Sequence, residues 1–208
     1  MKNTMTSLSL LLAGSLLVNV ALADDFNIHN DWFIEGINKP AKLVITKDTY
    51  EDGYELYKRQ SSFGTDGFIT EVIFDDSLQQ IFEPYQGKTR NVAFIYDVEG
   101  ETQQNPLTIS WLDQNHLRFD DGDLVMDSYF DPQGKILRNE LFMNSMEKPD
   151  EIMQYYYLAT DETKPTDQEN FIFVTNLKVD QYGNWIKQKE EKPNDKPIIR
   201  TRTIEYFP

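Results

Sequence analysis

The chain has 208 residues, 35 of them acidic against 20 basic, for a formal net charge of −15, and it contains no cysteine. That balance makes nucleic acid and anionic membrane surfaces poor partners, because their phosphates would repel it. The lack of cysteine excludes disulfides, thiolate metal sites and cysteine nucleophiles.

Residues 1–23 read as a cleavable export signal. Lys2 supplies the positive start, an apolar run covers Leu8 to Ala21, and Ala21-Leu22-Ala23 forms an A-x-A site before Asp24. The run is short for a membrane span. Residues 24–208 then form a single β-rich domain with an irregular lead-in over 24–40, where Trp32, Phe33 and Ile37 close one end of a core. After cleavage no stretch is expected to insert in a membrane. The expected location is the bacterial periplasm or the exterior.

From Lys39 onward the pattern is strand, turn, strand. Leu43 and Ile45 alternate with polar neighbours, Asp52-Gly53 turns the chain, and Tyr54 and Leu56 begin the return. Strands follow near 68–74, 79–82 and 91–96, the last apolar on both faces. Leu107, Ile109 and Trp111 alternate next. At the centre one unit occurs twice. Phe119-Asp120-Asp121-Gly122-Asp123-Leu124 and Phe130-Asp131-Pro132-Gln133-Gly134-Lys135-Ile136 each end a strand on an aromatic, turn through Asp and Gly, and re-enter on an apolar residue. Asp caps such a turn, and Gly accepts the positive φ it requires. Looser copies lie at Phe63–Ile69, Tyr96–Glu101 and Val179–Lys187. Beyond the centre come a polar loop at 144–150, a strand over Met153–Leu158, and a polar Pro-containing loop at 161–170. A hairpin from Phe171 to Lys189 and a last strand over Ile198–Phe207 complete the chain. No segment holds a 3.6-residue period over three turns. The expectation is all-β: an antiparallel meander of about ten or more strands, forming a curved sheet, an incomplete barrel or a sandwich.

The segment D-Q-Y-G-N-W-I-K at 180–187, with R-T-R-T-I-E-Y-F at 200–207, resembles bacterial proteins carrying YD (Rhs-type) repeats. The lead-in K-P-A-K-L-V-I-T-K-D-T-Y-E-D-G-Y at 39–54 resembles small exported members. Val179 stands where the repeat has its first Tyr. The resemblance implies a tendency to stacked β-hairpins and brings no catalytic residue with it.

Several side-chain sets bear on function. The two histidines, His29 and His116, read as exposed turn residues, and no G-x-S-x-G motif accompanies them. Acidic pairs such as Asp75/Asp76 and Asp120/Asp121 could in principle serve a carboxylate-based hydrolase, but at hairpin tips they read as solvated turn residues. Asp120, Asp121 and Asp123 form the one calcium candidate, hard oxygens on a Gly-bent loop, against a plain turn; no other cofactor is expected. The binding candidates are aromatic: Trp111, Trp185, Tyr155 and Tyr157, with Tyr156 on the opposite face of its strand. The leading expectation is a non-enzymatic envelope protein that binds a protein or a glycan through a sheet face. The alternatives are a periplasmic immunity or inhibitor protein that neutralises a basic toxin or enzyme, and the hydrolase.

Overall fold

The computed structural model describes residues 26–75, 77–98, 101–143, 145–159, 162–164 and 171–208. The expected export signal lies outside the described residues, as does most of the 161–170 loop.

Thirteen strands close into one barrel. In chain order they are β1 (Ala41–Tyr50), β2 (Glu55–Phe63), β3 (Ile69–Phe74), β4 (Leu78–Phe82), β5 (Thr89–Val98), β6 (Glu101–Asp113), β7 (His116–Asp120), β8 (Val125–Phe130), β9 (Ile136–Phe142), β10 (Glu151–Leu158), β11 (Phe171–Val179), β12 (Trp185–Glu191) and β13 (Ile198–Tyr206). The all-β expectation holds. The open forms, a curved sheet, an incomplete barrel or a sandwich, are replaced by full closure. β13 returns to pair antiparallel with β1, from Ala41 opposite Tyr206 to Tyr50 opposite Ile198. Closure removes both sheet edges and the backbone groups they would leave unpaired.

The meander is antiparallel except at one seam. β10 and β11 run parallel, Gln154 opposite Phe171 through Leu158 opposite Thr175. An odd number of strands requires this. Alternating directions cannot close a ring of thirteen, so at least one neighbouring pair must be parallel. Lys164, between the two strands, lies over the Phe173 ring and bonds Glu191 at 2.8 Å. It therefore sits on the outer wall. It helps explain why Phe173 is buried although its strand turns that side away from the lumen.

The second central copy of the sequence unit and the looser copies at 63–69 and 179–187 form one turn, which also occurs at 50–54, whereas the Phe119–Leu124 copy closes differently, with Asp121 N–H donating to the Leu124 carbonyl. At 50–54, 64–68, 131–135 and 180–184 the first residue's N–H donates to the fifth residue's carbonyl, and the fourth residue, a glycine, donates to the first carbonyl. Each glycine has φ between +80° and +89°, and each flanking ladder shifts register at the turn. This is a type I turn closed by a left-handed glycine bulge. In all four an aspartate side chain also accepts a backbone N–H of the turn, and Asp131 and Asp180 each accept two, as Asp131 does from Gln133 and Lys135.

A thirteen-stranded barrel is too wide for its own side chains to fill, since about eight strands is the size at which they do. The lead-in fills one end. Residues 26–40 enter the barrel mouth around a single helical turn, α1 (Asp31–Ile34). They touch each hairpin turn at that end. Lys88 lies over the Phe26 ring, His29 bonds the backbone of Gln114, and Asp31 N–H donates to the Gly67 carbonyl. A Cβ on Gly134 would strike the Phe33 carbonyl, and Asn38 N–H donates to Asn184 Oδ1 at 2.6 Å.

Three anchors fix this plug. Asp31, 1% exposed, pairs with Arg90 on β5 at 2.9 Å and accepts the Ile69 N–H. Arg59 grips both carboxylate oxygens of Glu35. Arg202 donates to the Glu35 and Gly36 carbonyls while its guanidinium stacks on Trp185 at 3.8 Å. Burial brings Arg202 down to about 10, which leaves it charged at neutral pH. Around the plug, Phe33 packs on Trp111 and Phe130 in a core that includes Val92, Ile109 and Leu117.

Candidate functional site

The lumen beyond the plug is of two kinds. Among the described residues the inward rows of β3 to β8 are mostly apolar, with Gln80, Arg90 and Ser128 as exceptions, whereas those of β1, β2 and β9 to β13 carry hydroxyls, amides and paired ions. Alternation on each strand sets this, because every second residue faces in. On β1 the inward row is Val44, Thr46, Asp48; on β13 it is Arg200, Arg202, Ile204, as the ladders between neighbouring strands place them.

The polar half holds a cavity of about 400 Å³ that opens at the plugged end, beside the 131–135 and 180–184 turns. Tyr57, Tyr157 and Trp185 contribute aromatic rings, Asn176 and Gln188 amides, and Thr46 a hydroxyl. Gln188 Nε2 donates to Asn176 Oδ1 at 2.7 Å. Two ion pairs border it. Glu35 is held by Arg59, and Asp48 is gripped by Arg200 through Nε at 2.8 Å and Nη2 at 2.6 Å. Arg200 also reaches Glu190 at 3.4 Å. Burial alone would lower the Arg200 pKa, but hydrogen bonding and charge from Asp48, with Glu190 behind, hold it above its ordinary range.

The tyrosines of this wall stay protonated. Burial pushes the Tyr155 hydroxyl up to about 12, and it raises Tyr157 and Tyr57 as well. They offer O–H donors rather than charge. Thr46 is 3% exposed, and its Oγ1 has no hydrogen-bond partner in the protein. An unpaired buried hydroxyl is costly, and this one borders the cavity.

The sequence candidates therefore divide. Tyr157 and Trp185 meet in the polar cavity. Tyr155 faces the lumen beside them and receives a bond from Asn139 Nδ2 at 3.3 Å. Tyr156 faces outward against Phe173, on the opposite side as alternation requires. Trp111 belongs to the core under the plug, 2% exposed, so it supports the plug and does not offer a surface.

The acidic tip is organised as a turn. Asp120 Oδ1 accepts Gly122 N–H, and Asp121 Oδ1 accepts the N–H groups of Asp123 and Leu124. Among the described residues no group of three or more His, Cys, Asp or Glu is placed to hold a metal ion. The histidines are not exposed turn residues. His29 stacks on Phe33 at 3.8 Å. His116 stacks on Tyr129 and lies 3.4 Å from Asp127, which Arg118 also grips.

Sequence reasoning missed the charged lumen. Asp48, Arg59, Arg200 and Glu35 were not singled out, because nothing local marks an isolated acid or arginine as facing inward. The one available signal was position. Asp48 shares the side of its strand with the apolar Val44, and Arg200 and Arg202 share theirs with Ile204. Comparison with protein-family models, curated proteins and solved structures returned no match for this chain.

Proposed function

We propose that the chain is an exported, non-enzymatic binding protein of the bacterial envelope, and that it takes a glycan inside the barrel, in the polar cavity, in place of the outer sheet face. The carrying observation is the composition of that cavity. Apart from Lys135, whose ammonium lies over the Tyr157 ring, its ions are matched in pairs, so an anionic or cationic ligand would have to break a pair to bond the arginines or carboxylates. A neutral ligand rich in hydroxyls would bond Thr46, Asn176, Gln188 and the tyrosine hydroxyls while its apolar faces rest on Trp185 and Tyr157. The size suits one or two sugar rings, as small-molecule sites run to ~300–1,000 Å³.

Export rests on the pattern of residues 1–23, and the cysteine-free composition is compatible with it. The outer wall supports a barrel in water. Lys42–Glu205, Lys47–Glu55, Arg118–Asp127 and Arg138–Glu140 pair across it, whereas a lipid-facing wall presents an apolar band. The hydrolase reading is less favoured, because the lumenal carboxylates of Glu35 and Asp48 each have both oxygens held by an arginine, whereas an acid or base must be within reach of the proton it moves on the substrate.

Calorimetric titration of the purified protein with neutral oligosaccharides released from bacterial envelopes tests this. Saturable binding is expected for one class of sugar, weakened at least about tenfold by Trp185→Ala, which corresponds to ~1.4 kcal/mol. Thr46→Val should weaken it without unfolding the barrel. Binding of no sugar, or binding indifferent to both changes, would sink the proposal. Capture of one basic protein at the outer wall, lost as salt rises, would instead support the inhibitor alternative.

A further inference from the structure

We infer that the apolar half of the lumen is a second binding site, which takes a single linear alkyl or acyl chain through the barrel end opposite the plug. The cavity measures about 360 Å³ and runs from Asp31 and Ile34 at the plug to Asp121 and Leu124 in the β7–β8 hairpin. Its wall is the inward face of six strands, with Val72, Phe74, Phe94, Ile109, Leu117 and Phe119 among its residues. Among the described residues the polar side chains along it are Gln80 within the wall, Asp31 at the plug, Asp121 at the mouth, and Arg59 at the partition, where Glu35 already holds it.

The shape and surroundings choose the occupant. The cavity is blind, because the plug seals its inner end, so nothing can thread through. Its walls are strands whose ladders are all paired in the closed ring, so no sheet edge is offered to a partner's strand. What remains is an unbranched apolar chain entering end-on, each methylene gaining from leaving water. The head of that molecule stays at the mouth. There the Asp121 carboxylate and the net charge of −15 select against an anionic head and for a neutral or cationic one.

This site stands on different residues from the polar cavity. The two share only Ile34, Glu35 and Arg59 as a common wall. Fluorescence separates them, because Trp111 sits across the ladder from Leu117 and clusters with Ile109, while Trp185 lines the polar side.

The test uses an ω-bromo long-chain alkanol as a neutral probe that quenches tryptophan at short range, since Trp111 packs directly behind the lining residues Ile109 and Leu117, with the unbrominated alkanol as control. In the variant Trp32→Phe/Trp185→Phe, Trp111 emission should fall saturably as the probe is added. The unbrominated alcohol should compete. In Trp32→Phe/Trp111→Phe, Trp185 emission should stay nearly constant. Leu124→Glu, a change at the mouth hairpin, should weaken the apparent affinity at least about tenfold while leaving the circular dichroism unchanged. Linear, unsaturable quenching would overturn the inference. So would equal quenching of Trp185, indifference to Leu124→Glu, or a dimer whose formation blocks the probe. A protein that binds the alkanol and no sugar keeps this inference and loses the glycan reading; the converse result separates them the other way.

Discussion

Replacing Asp31 by alanine should be among the most damaging single changes in the molecule. Asp31 and Arg90 have side chains 1% and 3% exposed and lie 2.9 Å apart. Once the carboxylate is gone, Arg90 keeps the Ile69 carbonyl at 3.3 Å and the faces of Phe82 and Tyr85 at 4.6 and 4.5 Å. None of these carries a negative charge. The Ile69 N–H loses its acceptor as well. Stranding one partner of a buried ion pair costs about 3–5 kcal/mol. For a domain of this size each kcal/mol lowers the melting temperature by roughly 2–4 °C, so a fall of roughly 6–20 °C is expected. The assay is denaturant unfolding of wild type, Asp31→Ala, Arg90→Met and the double variant Asp31→Leu/Arg90→Met. The double variant should be clearly more stable than the sum of the single losses predicts, since it buries no lone charge. A loss below about 1 kcal/mol for Asp31→Ala would refute the reasoning, as would strictly additive losses.

Two further outcomes follow from the same geometry. Gly53 and Gly134 occupy the same place in the same turn, at φ +89° and +83°, but a Cβ on Gly53 meets nothing within 4 Å whereas one on Gly134 strikes the Phe33 carbonyl. Gly53→Ala should cost about 1–2 kcal/mol for the left-handed backbone alone, and Gly134→Ala measurably more, read by thermal unfolding; equal losses would mean that the plug is not seated on that turn. On the acid side, burial works against the Asp127 carboxylate, but the Arg118 hydrogen bonds and the charges of Arg118 and His116 hold its pKa below the usual carboxylate range. A depressed folded pKa contributes stability that is full above the unfolded value and is lost as pH falls through the folded one. Asp127→Asn should therefore be less stable than wild type at neutral pH and should lose less on acidification below about pH 4, as denaturation at stepped pH would show.

Strands and turns were legible because both are local. Alternation at Leu107, Ile109 and Trp111 marks a strand whatever its neighbours, and Asp131-Pro132-Gln133-Gly134 marks a turn by backbone chemistry alone. Closure was not legible. It depends on Ala41–Tyr50 meeting Ile198–Tyr206, and nothing in either stretch names the other. The parallel seam was hidden for the same reason, since it follows from the strand count and not from Met153–Leu158 or Phe171–Val179 themselves. The candidate site was half visible. Tyr157 and Trp185 stood out as aromatics, but Trp111 looks the same in sequence, and only the plug distinguishes them by covering one and leaving the other open. Asp31 was the least legible, because an acid in a short turn reads as solvated until its arginine, 59 residues away, is placed beside it.

The pairing of β1 with β13 also sets an order in time. These strands are separated by nearly the whole folded chain, and contacts so distant in sequence form slowly, because the loop they close must be ordered first. Until β13 arrives, β1 has a bare edge beside Val44 and Ile45, and Arg200 and Arg202 have yet to meet Asp48 and the plug. The pairing of the first and last strands is therefore expected late in folding. Through that interval the unfinished barrel exposes the kind of edge from which intermolecular sheets grow.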